Sequence, residues 1–383
     1  MRLKKEIMCR FFPIRLLAVT LIYIAVSGLA AAPAVVVEDF AAADTTMRPA
    51  AEEASKPRPQ FRYAVSFRTI LDNLEDSWDY MPTRTIVGST LTPMVGVQYG
   101  NHALMGGVFL STKYGSDKFL DKIDPRIYYQ YKDERFMVVA GLFSRDLMKP
   151  SRLFHYTTSF KAFNNTLHGF LGQYTTETGY VEALIDWYLA DVGRRRDGFV
   201  FRISGAKRFG GWFLDGQFSY HHRGDWDLFV DCKVYDRLQY DFRVGYDFAV
   251  LQSVFRSLYL TAGFVGDADQ KRVGNDYKLK PGYGFEAAFN MNWKGLYLRN
   301  TVYYGKPQMP YYTEYGSELY FGDPFYHSSF YDQLAVGYVY KYRWVSVGAH
   351  VLLFFTDSPK IANQQLLSVA FDMDELVRPR RDR

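Results

Sequence analysis

Cysteine is nearly absent: the 383 residues include two, Cys9 and Cys232. Cys9 precedes an apolar run, so a chain processed after that run keeps Cys232 alone, and one thiol cannot close an internal disulfide. That excludes a small disulfide-stapled secreted domain. Long apolar runs are scarce too. Only Leu16 to Val37 is uncharged and long enough to span lipid as a helix, and it stands at the N-terminus. A bundle of membrane helices is thereby excluded. The body of the chain also lacks net charge. The formal +5 comes from residues 1–34 at +4 and the last six at +3, which hold four arginines against Asp382, less 2 from residues 35–60, while residues 61–377 are neutral. A neutral body speaks against nucleic acid as a partner.

Aromatic residues are plentiful: 31 Tyr, 31 Phe and 6 Trp, beside 30 Gly. With 48% apolar residues, the chain can bury far more surface than a disordered one. The N-terminus reads as a secretory signal over residues 1–34. Basic residues from Arg2 to Arg15 precede the apolar run Leu16 to Val26 and then small residues, with cuts expected after Ala30 or Ala34. Residues 35–60, rich in Ala, Pro and charge, read as a flexible periplasmic tether. Residues 378–383 form a basic tail.

From Phe61 the dominant period is two. Phe61, Tyr63, Val65 and Phe67 alternate with Arg62, Ala64, Ser66 and Arg68. The same alternation runs through Val181–Trp187, Leu238–Phe248 and Tyr283–Trp293. Such segments exceed the usual sandwich strand and approach the 9–11 residues that cross a bilayer at a tilt. Their polar faces mix Gly, Asn, Arg and Asp, as a wet barrel interior requires, and aromatics cluster at strand ends. Short turns, such as Gly100-Asn101 and Lys294-Gly295, alternate with long gaps such as 146–166, 266–281 and 305–330. A direct count gives 17 segments, with parity failing between residues 221 and 266. Folding the poorly patterned Leu228–Tyr235 into a loop predicts a transmembrane antiparallel up-and-down barrel of about 16 strands over residues 61–377, with 18 as the runner-up.

Together these features resemble the outer-membrane porins and related β-barrels of Gram-negative bacteria. Stretches such as Arg84–Gly96 and Gly141–Leu147 resemble strands of envelope barrels with no assigned substrate. One departure is the end of the chain. Such barrels commonly finish on an aromatic residue, whereas the expected last strand, Gln364 to Met373, contains Phe371 and is followed by an acidic and then a basic stretch. The resemblance implies outer-membrane lipid, lipopolysaccharide and the barrel insertion machinery as partners, a small hydrophilic solute as cargo, and no cofactor.

Catalytic motifs are missing: no phosphate-cradling loop, no nucleophile elbow, no cysteine pair for zinc. The expectation is therefore a channel and not an enzyme. Arg62, Arg68, Arg202, Arg243 and Arg299 fall on polar strand faces, as do Glu182, Asp186, Asp215, Asp241 and Glu286. Opposed acidic and basic walls would line a permeation path. Residues 309–326 form an aromatic segment whose Tyr311, Tyr312, Tyr315, Tyr320, Phe321, Phe325 and Tyr326 would narrow the mouth or contact sugars. His221-His222 reads as a loop-tip polar cluster, and Gly266–Asp276 as a solvated outer loop and not a metal site. Two alternatives to passive diffusion are a closed structural or assembly barrel, and a lipid-acting enzyme for which His327, Ser328 and Asp332 supply the ingredients.

Overall fold

A computed structural model describes residues 58–76, 83–191, 196–225, 233–251, 254–273 and 278–377. The signal, most of the tether and the basic tail lie outside the described residues. Among those described, no helix is long and apolar enough to cross a membrane. The chain crosses with strands.

The first half supplies β1 (Gln60–Glu75), β2 (Arg84–Tyr99), β3 (His102–Lys113), β4 (Lys122–Lys132), β5 (Phe136–Ser144), β6 (Thr166–Thr176), β7 (Gly179–Asp191) and β8 (Arg196–Phe209). The second supplies β9 (Trp212–Asp225), β10 (Lys233–Asp247), β11 (Ser257–Val273), β12 (Leu279–Trp293), β13 (Leu296–Gly305), β14 (Phe330–Tyr342), β15 (Val345–Thr356) and β16 (Ala362–Val377). Each strand pairs antiparallel with its sequence neighbours, and β1 pairs with β16 to close a sixteen-stranded barrel. Closure leaves no unpaired edge, the condition for a sheet in lipid. The last strand seals the barrel despite its unusual ending, with Phe371 opposite Phe67 of β1.

The parity problem has a plain cause. Lys233–Tyr235 is the start of β10, and the connection from β10 to β11 at the short-turn end runs over residues 248–256 with a 3₁₀ turn at Phe248–Leu251. Other turns at that end are two or three residues, as at Gly100-Asn101 and Lys294-Gly295. Exposed aromatics ring the wall near it, among them Phe61, Tyr99, Phe209, Trp212, Trp293 and Tyr342. Tyr283, Phe285 and Tyr304 stand out toward the long-loop end. Two such girdles mark the two faces of the bilayer.

Two long connections turn into the barrel. Residues 145–165, between β5 and β6, carry a six-residue helix, Thr158–Phe163, capped by the Thr157 hydroxyl. Residues 306–329, between β13 and β14, carry the aromatic segment. They clasp each other: Thr157 N–H donates to Phe321 O at 2.8 Å and Asp323 N–H to Leu153 O at 2.8 Å. Gly322 is required at that contact, because a Cβ there would overlap the carbonyl of Phe154. Beneath them the lumen beside β2–β7 is apolar, with Met94, Met105, Tyr128, Met137, Phe143, Leu167 and Leu171 in one buried cluster.

Candidate functional site

The ten charged residues expected on polar faces all turn inward, and loops meet them there. Glu182 lies 3.6 Å from Arg202, and it accepts from the Lys149 N–H and the Gln173 amide, both at 2.6 Å. Asp186 accepts from Arg145 at 2.7 Å. Asp215 pairs with Arg243 at 2.9 Å. Asp241 takes Arg152 at 2.8 Å and His155 at 2.5 Å. Arg152 also grips Glu286, which accepts from the Tyr326 hydroxyl. Arg62 pairs with Asp374 and Arg68 with Asp146, while Arg299 lies 3.4 Å from the Gln333 side-chain oxygen. Of the ten, all but Arg62 and Arg68 are buried.

The aromatic segment packs against the first inserted segment and the wall. Phe325 stacks on Phe354 with centroids 4.3 Å apart, Phe321 on Phe160 at 4.3 Å, and Tyr326 meets the edge of Phe154 at 4.8 Å. Tyr320, Phe321, Phe325 and Tyr326 are buried, whereas Tyr311, Tyr312 and Tyr315 are half-buried at the mouth. A cavity between the two inserted segments and the wall measures about 40 Å³ and two others about 20 Å³. That is room for about three waters in the first and one or two in each of the others, since a water occupies roughly 10–15 Å³ on this scale.

The trio His327, Ser328 and Asp332 is not assembled. Ser328 Oγ is buried against the carbonyls of Phe325 and Phe330, at 2.7 and 2.6 Å. Asp332 lies on the opposite, outward face of β14, where Asn300 donates to it at 2.5 Å. Two loop expectations are also corrected. Gly266–Val273 continues β11, so Asp267 and Asp269 face inward beside Arg237, at 3.3 and 3.5 Å. His221 and His222 lie within β9 and point to opposite faces, as neighbours on a strand must. In each case β9–β11 hold their pairing beyond the apolar belt, which polar composition alone does not reveal.

His221 faces the lumen and meets Tyr188 Oη at 2.7 Å. His222 continues the outward series Trp212, Leu214, Gly216, Phe218 and Tyr220. Directly across the sheet is Asp236, in a row of outward positions formed by Phe199, His222, Asp236 and Gln270. His222 Nδ1 lies 2.7 Å from Asp236 Oδ1, and Tyr220 Oη donates to the same oxygen at 2.6 Å. Arg272 of β11 holds the other carboxylate oxygen. Phe199 lies against the imidazole at 5.2 Å, and Trp187 stacks on Phe199 at 5.0 Å. A carboxylate at Nδ1 accepts from that nitrogen and turns Nε2 away from the pair.

Height along the wall matters as much as the contacts. From Trp212 to His222 is ten residues of one strand, about 33 Å of chain and, at a tilt of about 40°, about 25 Å of height. An outer-membrane apolar band is itself about 25 Å tall. The cluster therefore caps the belt at the outer interface. On β10 the outward residues Tyr246, Val244, Phe242, Tyr240 and Leu238 end where Asp236 begins. Sequence reasoning missed Tyr220, Asp236 and Arg272; the available signal was a charge interrupting the outward series at the top of a strand.

A family profile described as lipid A 3'-O-deacylase-type matches residues 54–365. The chain belongs to that family. Membership in a lipid A 3'-O-deacylase-type family overturns the expectation of a non-enzymatic barrel, which rested on the lack of a linear catalytic motif. Among solved structures, OmpT of Vibrio cholerae, an outer membrane protein folded in vitro and in its trimer form, is similar at 12% identity, covering 83% of this chain and 100% of that one, with a TM-score of 0.50. OprD of Pseudomonas aeruginosa is similar at 11% identity over 84% and 96% of the two chains, with a TM-score of 0.45. At these identities the OmpT likeness shows the fold alone. No curated protein sequence matches. The lipid A 3'-O-deacylase-type chain is thus a barrel of the Gram-negative outer membrane.

Proposed function

We propose that this chain is a lipid-acting barrel hydrolase that removes an ester-linked acyl chain from lipid A at the outer leaflet. The observation that carries the reading is the His222–Asp236 pair, at 2.7 Å, on the lipid-facing wall at the outer edge of the belt. A lipid reaches that wall by lateral diffusion. In the proposed reaction His222 Nε2 takes a proton from water as the oxygen attacks the acyl carbonyl. The tetrahedral intermediate then expels the sugar alkoxide, which takes the proton back from the imidazolium, giving a free fatty acid and a hydroxyl on the sugar. Water serves as the nucleophile, because the neighbours of His222 on its face are Tyr220, whose hydroxyl is committed to Asp236, and Gly224. Asp236 fixes the tautomer and balances the imidazolium, and Tyr220 and Arg272 position Asp236.

The test is mass spectrometry of lipid A incubated with the purified, folded protein. Loss of one acyl chain is expected, and His222→Asn should slow it by about 10³-fold, in the range for removal of a general base. Intact lipid A after exposure to folded wild-type protein would sink the reading.

A second reading, passive diffusion of small hydrophilic solutes, draws support from the sixteen-strand circumference and the inward charges. The two inserted segments oppose it. Stepwise conductance of the wild-type protein in a planar bilayer would favour diffusion; a silent bilayer favours the hydrolase.

A further inference from the structure

The wall that carries the outward cluster has a second face at the same height. Because side chains alternate along a strand, Asp236 and Arg272 point outward while their neighbours Tyr235 and Lys271 point into the mouth. There Tyr235 and Tyr315 lie with ring centroids 4.4 Å apart, and Tyr311 stands edge-on to Tyr235 at 6.4 Å. Lys271 Nζ lies over all three rings, at 5.4–5.8 Å from their centroids, and contacts Glu314 at 2.5 Å. Lys280 of β12 is exposed and sits 4.3 Å over the Tyr311 ring. Tyrosine faces suit the apolar faces of a sugar ring, and two ammonium groups beside them suit a phosphate. The Glu314 carboxylate, half-exposed on Lys271, already occupies an anion's position there.

We propose that the Tyr311, Tyr315, Lys271 and Lys280 cluster, backed by the buried Tyr235, is a subsite for the phosphorylated sugar headgroup of the lipid whose acyl chain lies against the outer wall at His222. The inference rests on the hydrolase reading and adds to it the part of the substrate that is recognised. The lipid straddles the rim, with its chains in the belt and its headgroup turned over the strand ends into the mouth. The phosphate takes the place of Glu314 on Lys271, and Tyr311 and Tyr315 hold the sugar.

Binding of lipid A to the full chain in detergent, read by surface plasmon resonance, tests this apart from turnover. Lys271→Ala with Lys280→Ala should weaken binding at least 10-fold, and Lys280→Arg should keep most of it. His222→Asn should bind as wild type does. Lipid A stripped of phosphate should bind wild type as weakly as intact lipid A binds the double variant. Unchanged migration of the unheated barrel on a gel checks folding, and Tyr311→Ala provides a second variant should the double one fail to fold. Wild-type affinity in the folded lysine variant, equal binding of the stripped lipid, or no binding to wild type overturns the subsite. Acyl release with an unaffected lysine variant removes the subsite and leaves the hydrolase; phosphate-dependent binding without acyl release removes the hydrolase and leaves a headgroup site.

Discussion

The two faces of the β9–β11 wall use the same residue types in different company. Inside, Asp241 is locked by Arg152 and His155, both delivered by the segment between β5 and β6. Outside, Asp236 is held by His222, Tyr220 and Arg272, all from neighbouring strands of the sheet itself. The inner group ties a loop to the wall, so its charges serve docking. The outer group needs no loop, because register alone builds it, and His222, Tyr220 and Arg272 are buried within it at the outer edge of the belt. A histidine–carboxylate pair is thus not diagnostic of chemistry until its face of the sheet is known.

The sharpest way to break the comparison is to unpair the inner face and leave the outer one alone. Arg152→Ala leaves Asp241 to His155 and Glu286 to the Tyr326 hydroxyl, with no arginine between them, and removing one partner of a buried ion pair costs about 3–5 kcal/mol. The expected result is release of residues 145–165, seen as new protease cleavage there and as conductance in a bilayer, with acyl hydrolysis retained. Hydrolysis lost together with docking would mean that the two faces are not independent.

A smaller effect comes from pH. Asp323, in the segment between β13 and β14, is fully enclosed, and burial pushes its carboxyl up to about 6 against the help of the Tyr331 hydroxyl and the Phe325 N–H. The docked state therefore favours the protonated acid. Docking is strongest below the ordinary carboxylate value of 3.8, weakens as pH rises through about 6, and is then constant. The difference amounts to about 3 kcal/mol. Hydrogen-exchange protection over residues 306–329, taken relative to the intrinsic rate at each pH, should be lower at pH 7.5 than at pH 5, and Asp323→Asn should flatten that dependence. An unchanged pH profile in the variant would assign the effect to another group.

The smallest expected change sharpens the outer face. Tyr220→Phe removes one hydrogen bond to the Asp236 carboxylate, worth about 1.5 kcal/mol. Turnover should fall by roughly 10-fold with the thermal midpoint nearly unmoved, and the acid limb of the pH–rate profile should shift because the imidazole's partner has changed. A fall in stability with no change in the pH profile would make Tyr220 structural only.

Much of this was legible in the chain. Alternation at Phe61–Arg68 and Tyr283–Trp293 sets which side chains face lipid, because the strand period is two and the bilayer rewards only one choice. The same rule turned Arg202, Glu182, Asp241 and the other seven charges inward. Their partners were not legible. Arg152 and His155 lie 89 and 86 residues from Asp241, and only the folding of a loop into the barrel brings them there. Asp332, outward on β14, and Ser328, buried in the segment before that strand, are near in sequence yet do not meet.

Composition and periodicity alone thus determine a neutral, aromatic-belted barrel, since burial of apolar side chains in lipid and closure of the backbone hydrogen bonds leave no other arrangement for such a pattern. Strand register decides the rest. His222 and Asp236 are fourteen residues apart and meet because β9 and β10 pair without a slip; a shift of one residue would send the pair to different faces. The packed lumen is equally a tertiary matter: aromatic and charged segments that could have stayed in solvent find, inside the barrel, the partners that make burial favourable.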